Sequence, residues 1–248
     1  MPGFSWPDNA KAAVSLTFDD ARTTQLDVGI PILDSFGIKG TFFVSPEFVG
    51  DRLAEWQTVP ARGHEIGNHT MTHPCSECFE FVRERRNALE DYDLERMARE
   101  LDDANAWIAE RLGSVPTSFA YPCGHTSVGR GRDTRSYIPL VAERFIAGRL
   151  YTHDPNANPF QVDLAQTWSC GIDRLLPAEV LPMLESGLRA GDWVVLTGHE
   201  ITIDHPQGIL PETLTAICEW ARDKNGEVWI DTFSAVARYI RSTQSHHA

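Results

Sequence analysis

Positive charge is scarce in this chain. Its 248 residues carry 22 lysines and arginines against 35 aspartates and glutamates, a formal net charge of −13. Such a balance argues against a nucleic-acid partner, whose phosphates need a basic footprint. It argues, less strongly, against docking on an anionic membrane surface. Long apolar runs are lacking too, and none reaches the length that spans a bilayer. The start, Met1-Pro2-Gly3-Phe4-Ser5-Trp6-Pro7-Asp8, shows no basic segment followed by an apolar stretch, so a cytoplasmic location is expected. Cysteine is sparse: Cys75, Cys78, Cys123, Cys170 and Cys218. An odd, scattered set does not suggest a disulfide framework. Cys75-Ser76-Glu77-Cys78 is a C-x-x-C without a second copy or a thioredoxin-like context, and it reads as ordinary thiols or a local loop feature. There is no Pro/Ser/Gly-rich linker, low-complexity run or internal repeat, so residues 1–248 are expected to form one domain.

What is present is an alternation of strand-like and helix-like segments. Residues 12–18 read as a strand ending in Asp19-Asp20, and residues 40–44, 63–67 and 117–121 read as further strands. Residues 144–148, 166–170, 193–197 and 227–230 complete the set. Between them lie helical stretches at 26–36, 51–61, 93–112, 139–143, 178–189, 211–223 and 232–240. The clearest is 93–112, with Leu94, Met97, Leu101, Ala104, Ile108 and Leu112 at three- and four-residue spacing, Asp93 as its start and Gly113 as its stop. Residues 75–91 are too charged to assign. Ser245–Ala248 reads as a frayed tail. The alternation predicts an α/β fold with a parallel sheet and helical crossovers.

Four polar clusters directly follow strand-like runs: Asp19-Asp20, His69 to His73, Pro122-Cys123-Gly124 and Gly198-His199. In parallel α/β folds the carboxyl ends of the strands share one side, where active sites sit. His69 and His73, four residues apart in a turn-forming sequence, can offer two imidazoles to one metal ion. With one carboxylate of the Asp19-Asp20 pair they make a three-ligand site with open positions, the pattern of a catalytic metal. Zinc is the first choice; cobalt, manganese, iron or nickel would also accept such ligands. The metal would lower the pKa of a bound water and polarise a carbonyl. The second carboxylate would be free to act as a base, and His199 could protonate a leaving group. A backbone N–H of the Pro122-Cys123-Gly124 turn could hold an oxyanion.

The order and spacing of Thr17-Phe18-Asp19-Asp20, Gly40-Thr41-Phe42-Phe43-Val44, Gly63-His64-Glu65-Ile66-Gly67-Asn68-His69-Thr70-Met71-Thr72-His73-Pro74 and Leu196-Thr197-Gly198-His199 resemble the polysaccharide deacetylase (NodB-homology, carbohydrate esterase family 4) superfamily. The resemblance implies a distorted (β/α) barrel and a metal-dependent hydrolase that removes acetyl groups from N-acetylated, less often O-acetylated, saccharides. By motif position, Asp20, His69 and His73 would be the metal ligands, Asp19 the base and His199 the acid. The Cys123 N–H would take the oxyanion position. Tyr121, Trp168 and Leu196 would line the substrate pocket, and Asp173 would orient His199.

The chain departs from its family at the third motif, usually Arg-Pro-Pro-Tyr/Trp-Gly and here Ala120-Tyr121-Pro122-Cys123-Gly124. The arginine that clamps the base is missing, and Ala21-Arg22 follow Asp20 where glycine is common. A base beside a metal needs a positioned carboxylate, so Arg22, Arg130, Arg132 or Arg135 is expected to replace the clamp. The altered loop also opens two alternatives: hydrolysis of a small amide or imide, as in allantoinase-like relatives, or a degenerate member that binds carbohydrate without turnover.

Overall fold

The chain folds around β1 (Ala12–Asp19), whose eight residues are all buried. A strand buried on both faces belongs in the middle of a parallel sheet. β1 pairs in parallel with β2 (Thr41–Val44), with β8 (Trp193–Gly198) and, at its start, with β9 (Val228–Ile230). β2 continues to β3 (Glu65–Asn68), β4 (Ser118–Ala120) and β5 (Ala147–Arg149), all parallel. On the other side, β8 takes β7 (Cys170–Gly171) in parallel and β6 (Asn156–Ala157) antiparallel. The sheet then curls back on itself. Leu150 N–H donates to Thr167 O and Thr152 N–H to Ser169 O, at 2.8 and 3.0 Å. These bonds carry the free edge beyond β5 to the segment entering β7, so the strands form a distorted barrel. The structure is a computed structural model describing residues 4–244; the tail expected at Ser245–Ala248 lies outside the described residues.

Alternation along the strands separates two layers. Val14, Leu16 and Phe18 of β1, and Val194 and Leu196 of β8, point outward. They pack against α1 (Ile30–Ser35), α5 (Pro177–Ala190) and α6 (Pro211–Asp223), through residues such as Leu33, Leu184 and Leu214. Ala13, Trp193 and Val195 point inward and meet Phe43 and Phe233. Fully burying each large aliphatic or aromatic side chain is worth about 1.5–3 kcal/mol, so both layers help fix the barrel. Phe233 opens α7 (Phe233–Gln244), which seals the amino end of the barrel with Val236, Ala237 and Ile240. The carboxyl ends of the strands remain open.

Gly67 decides how the interior fills. A Cβ there would lie 2.4 Å from the Phe43 ring and 2.8 Å from Ser118 Oγ. Its absence lets Phe43 occupy the centre of the barrel, where it becomes the floor of the site above.

α3 (Leu94–Leu112) matches expectation: Asp93 accepts the Arg96 N–H at 2.7 Å, and Gly113 ends the helix at φ 68°. Elsewhere the structure departs from expectation. Of the expected helix at 51–61 only one α-helical turn forms, Leu53–Trp56, between the 3-10 turns Gly50–Arg52 and Pro60–Arg62. The expected helix at 26–36 begins as a wide turn, Gln25–Gly29, before α1. The charged stretch 75–91 contains α2 (Glu80–Arg85), and α4 (Ile138–Arg144) precedes β5.

Candidate active site

β1 delivers Asp19 inward at its last position, and the chain then turns through Asp20 and Ala21 at φ 77° and 56°. That turn brings adjacent carboxylates into different surroundings. Asp19 receives both carboxylate bonds from one nitrogen of Arg149, each at 2.5 Å. Arg149 is fully buried and lies over the Phe43 ring at 5.1 Å from its centroid. The expected clamp therefore exists, but none of the expected residues supplies it. Arg22 pairs with Asp20 Oδ2 at 2.8 Å. Arg130 pairs with Glu77 and Asp91 at the surface, Arg135 donates to the carbonyls of Arg132 and Thr134, and Arg132 is exposed. Arg149 comes instead from the end of β5, two strands beyond the histidine loop.

Asp20 Oδ1 faces His69 Nε2 at 3.5 Å and His73 Nε2 at 3.4 Å. The loop carrying both histidines is tied down: Asn68 bonds Leu101 O and Asn105 in α3, and Glu100 accepts the N–H groups of Met71 and Thr72. Thr70 and His73 take positive φ values of 64° and 50°, so the pair meets across a tight turn rather than along a helix. His69 Nδ1 lies 2.8 Å from Ala120 O. A proton on Nδ1 satisfies that carbonyl and leaves the Nε2 lone pair toward Asp20. Burial, reinforced by neighbouring His69, pushes His73 down to about 4, so it is neutral near pH 7. Burial would raise the Asp20 carboxyl, but the His69, His73 and His199 imidazoles beside it outweigh burial and hold it well below the usual range. Asp20 Oδ1 is buried without a hydrogen-bond donor among the described residues. Three lone pairs thus converge on one point with no proton to share, an arrangement that fits a divalent cation. His73, Cys75 and Cys123 also cluster, but both sulfurs are already committed to each other.

Cys75 and Cys123 form a disulfide across 48 residues of sequence. This corrects the reading of the C-x-x-C: Cys78 is a free, exposed thiol, and Cys170 and Cys218 are free and buried. The cross-link joins the segment following His73 to the Pro122-Cys123-Gly124 turn. In that turn Cys123 adopts φ 54°. Gly124 and His125 donate their N–H groups to Tyr121 O and Pro122 O, while the Cys123 N–H has no acceptor among the described residues.

His199 follows β8. Its Nδ1 lies 2.6 Å from Asp173 Oδ2, and its backbone N–H donates to Asp173 Oδ1 at 3.1 Å. Gly198 makes this approach feasible, since a Cβ there would sit 2.7 Å from Asp173 Oδ1. Burial disfavours the charged ring, but the Asp173 bond and the charges of Asp19 and Asp20 prevail and raise the His199 pKa above the usual value. Gln25, fully buried, donates to both Asp19 O and His199 O, at 2.6 and 2.8 Å. It staples the ends of β1 and β8.

A cleft of about 470 Å³ collects Asp19, Asp20, His69, His73, Cys123, His199 and Tyr121. Two expected wall residues lie elsewhere. Leu196 has the outward parity of β8 and sits in the outer core. Trp168 faces outward between the buried Thr167 and Ser169. The sequence reading missed Tyr151, whose phenol burial and nearby carboxylates push up to about 12, and also Phe48, Phe79, Phe81 and Arg85 at the mouth. Tyr151 and Arg149 directly follow or end a strand, the same signal that singled out the other clusters.

Residues 7–136 match the family model described as polysaccharide deacetylase. The chain is 24 % identical over 268 residues to a gellan lyase of a Bacillus species, covering 98 % of this chain and 10 % of that protein. It is 38 % identical over 94 residues to a chitooligosaccharide deacetylase of Rhizobium leguminosarum bv. phaseoli, covering 36 % of this chain and 39 % of the relative. The chain thus spans well under half the length of either. Among solved structures, the peptidoglycan deacetylase PdaC of Bacillus subtilis superposes with a TM-score of 0.61 at 17 % identity, covering 98 % and 96 % of the two chains. A family 4 acetyl xylan esterase of Clostridium thermocellum, solved with a cobalt ion, gives 0.60 at 19 % identity over 90 % and 89 %. At these identities the structural likeness concerns the fold.

Proposed function

This chain belongs to the polysaccharide deacetylase family, and on that premise we propose that it is a metal-dependent deacetylase acting on an N-acetylated, less readily an O-acetylated, saccharide. The observation that carries the proposal is the unmet Asp20 Oδ1 facing two imidazole nitrogens, beside a separately clamped Asp19. Asp20, His69 and His73 would hold a divalent cation, zinc first, with cobalt precedented in the Clostridium thermocellum esterase. Bound there, the cation would supply Lewis acidity, activating water and polarising the acyl carbonyl. Asp19, fixed by Arg149, takes the proton of the attacking water. The unengaged Cys123 N–H donates to the developing oxyanion. His199, held by Asp173, gives its proton to the leaving nitrogen or oxygen. Tyr121 and Tyr151 wall the acyl side of the cleft. The Cys75–Cys123 cross-link favours an oxidising compartment over the cytoplasmic one expected from the start of the chain.

Hydrolysis of a small amide or imide is the second reading. It is favoured by the aromatic mouth of Phe48, Phe79 and Phe81 around a cleft of small-molecule size. Degeneracy is disfavoured, since a binding module has no use for a clamped base and a carboxylate-backed imidazole together. Acetate release from metal-loaded protein, assayed on chito-oligosaccharides, acetylated xylan and a panel of small amides, tests the choice. Release from the saccharides is expected. Turnover of small amides alone would install the second reading, and turnover of none would install the binding module.

A further inference from the structure

Trp168 belongs to a different feature of the surface. Its indole is 52 % exposed and lines a groove of about 430 Å³ with Asn156, Asn158, Gln161, Asp163 and Gln166. We propose that this groove is a second, non-catalytic saccharide-binding site, with Trp168 as the stacking platform. The lining residues identify the ligand class by their chemistry. A flat indole offers its face to the C–H surface of a sugar ring, and side-chain amides both donate to and accept from hydroxyls. No lysine, arginine or histidine lines the groove among the described residues, so a phosphate or carboxylate ligand would find no counter-charge. The groove is also braced: Asn158 Oδ1 accepts the Phe160 N–H, and Asp163 accepts the Ala165 N–H and the Gln166 amide, at 2.8–2.9 Å. Asn156 Oδ1, by contrast, is turned under α5, 3.1 Å from where a Gly187 Cβ would lie, and its amide oxygen takes no part in the groove.

The choice of a saccharide over other neutral polar ligands rests on the deacetylase reading. Trp168 and Asp173, which holds His199, lie five residues apart on one extended segment, so roughly 17 Å at most separates them. The rest of the groove lies toward the amino end, where Ala157 pairs with Trp193 and Pro159 O accepts from Gln244 of α7, so it would hold a saccharide apart from the catalytic cleft.

Binding is measured apart from turnover by using the Asp19→Asn protein, in affinity electrophoresis through gels containing glycol chitin or, separately, xylan. Retardation in at least one gel is expected. Trp168→Ala in that background should raise the apparent Kd at least tenfold, Trp168→Tyr should restore most of the binding, and Gln161→Ala should weaken it a few-fold. Equal retardation of the Trp168→Ala and parent proteins, or no retardation of the parent in either gel, overturns the proposal. A protein that binds through Trp168 but releases no acetate keeps this site and loses the deacetylase reading. One that releases acetate without Trp168-dependent binding does the reverse.

Discussion

The two ends of the barrel both hold carboxylates below the surface, and they treat them in opposite ways. At the amino end Glu65 is fully engaged: Oε1 accepts from Ser118, and Oε2 accepts from Thr41 and from the Ser234 N–H that begins α7. These bonds join β2, β3, β4 and the closing helix. At the carboxyl end Asp19 is engaged by a buried guanidinium, but Asp20 Oδ1 has no donor among the described residues. An unmet buried acceptor costs about 1–3 kcal/mol, and this one faces two imidazole nitrogens. The engaged carboxylates hold strands together; Asp20 Oδ1, facing His69 and His73, marks the candidate cation site.

Several substitutions break or sharpen that contrast. Asp19→Asn should lower kcat by about 10²–10⁴-fold while leaving bound metal in place, because Asp19 faces Arg149 and not the histidines. Equal turnover in steady-state assays would remove Asp19 from the chemistry. Arg149→Met strands Asp19 as a buried charge, so about 3–5 kcal/mol of stability should be lost in urea unfolding. Adding Asp19→Asn should recover much of that loss; strictly additive effects would show that the two residues do not act as a pair. Glu65→Gln replaces three charge-assisted bonds by neutral ones, with the amide N–H₂ turned to the Ser118 hydroxyl as acceptor. It should cost about 1–3 kcal/mol with metal content and kcat unchanged, and a fall in metal content would erase the distinction between the two ends. Asp173→Asn acts by pH. The carboxylate raises the His199 pKa, and the protonated acid is present below that pKa and lost above it. Without the carboxylate, the alkaline limb of kcat should move to lower pH. A limb that stays in place would mean that His199 is not the titrating acid.

Local patterns made the frame of this site legible in the sequence, and distance hid the rest. Asp19, Asp20, His69, His73 and His199 stand directly after strand-like runs, so a parallel α/β reading places them together before any coordinates are known. Arg149 lies 130 residues from the carboxylate it clamps, and nothing near Asp19 reveals it. Closure of the sheet brings the end of β5 across to β1, so the missing third-motif arginine is replaced from a neighbouring strand rather than a neighbouring residue. Cys75 and Cys123 meet for the same reason, because β3 and β4 are adjacent while their cysteines are far apart in sequence. Leu196 failed by parity. His199 shares the inward phase of Trp193 and Val195, and Leu196 has the opposite one, which strand alternation already contained. Trp168 failed in the same way between two inward residues. The helix expected at 51–61 shortens to Leu53–Trp56, since Pro60 opens a separate turn that ends at Gly63 in the left-handed region.

The most direct test is metal stoichiometry. Purified protein, loaded with zinc or cobalt and desalted, should hold one ion per chain by inductively coupled plasma mass spectrometry. His69→Ala and Asp20→Ala should each reduce that to a small fraction, while Asp19→Asn and Glu65→Gln retain it. A chain that binds no ion, or one whose ion survives both His69→Ala and Asp20→Ala, would contradict the claim that the unmet groups at the carboxyl end form a metal centre.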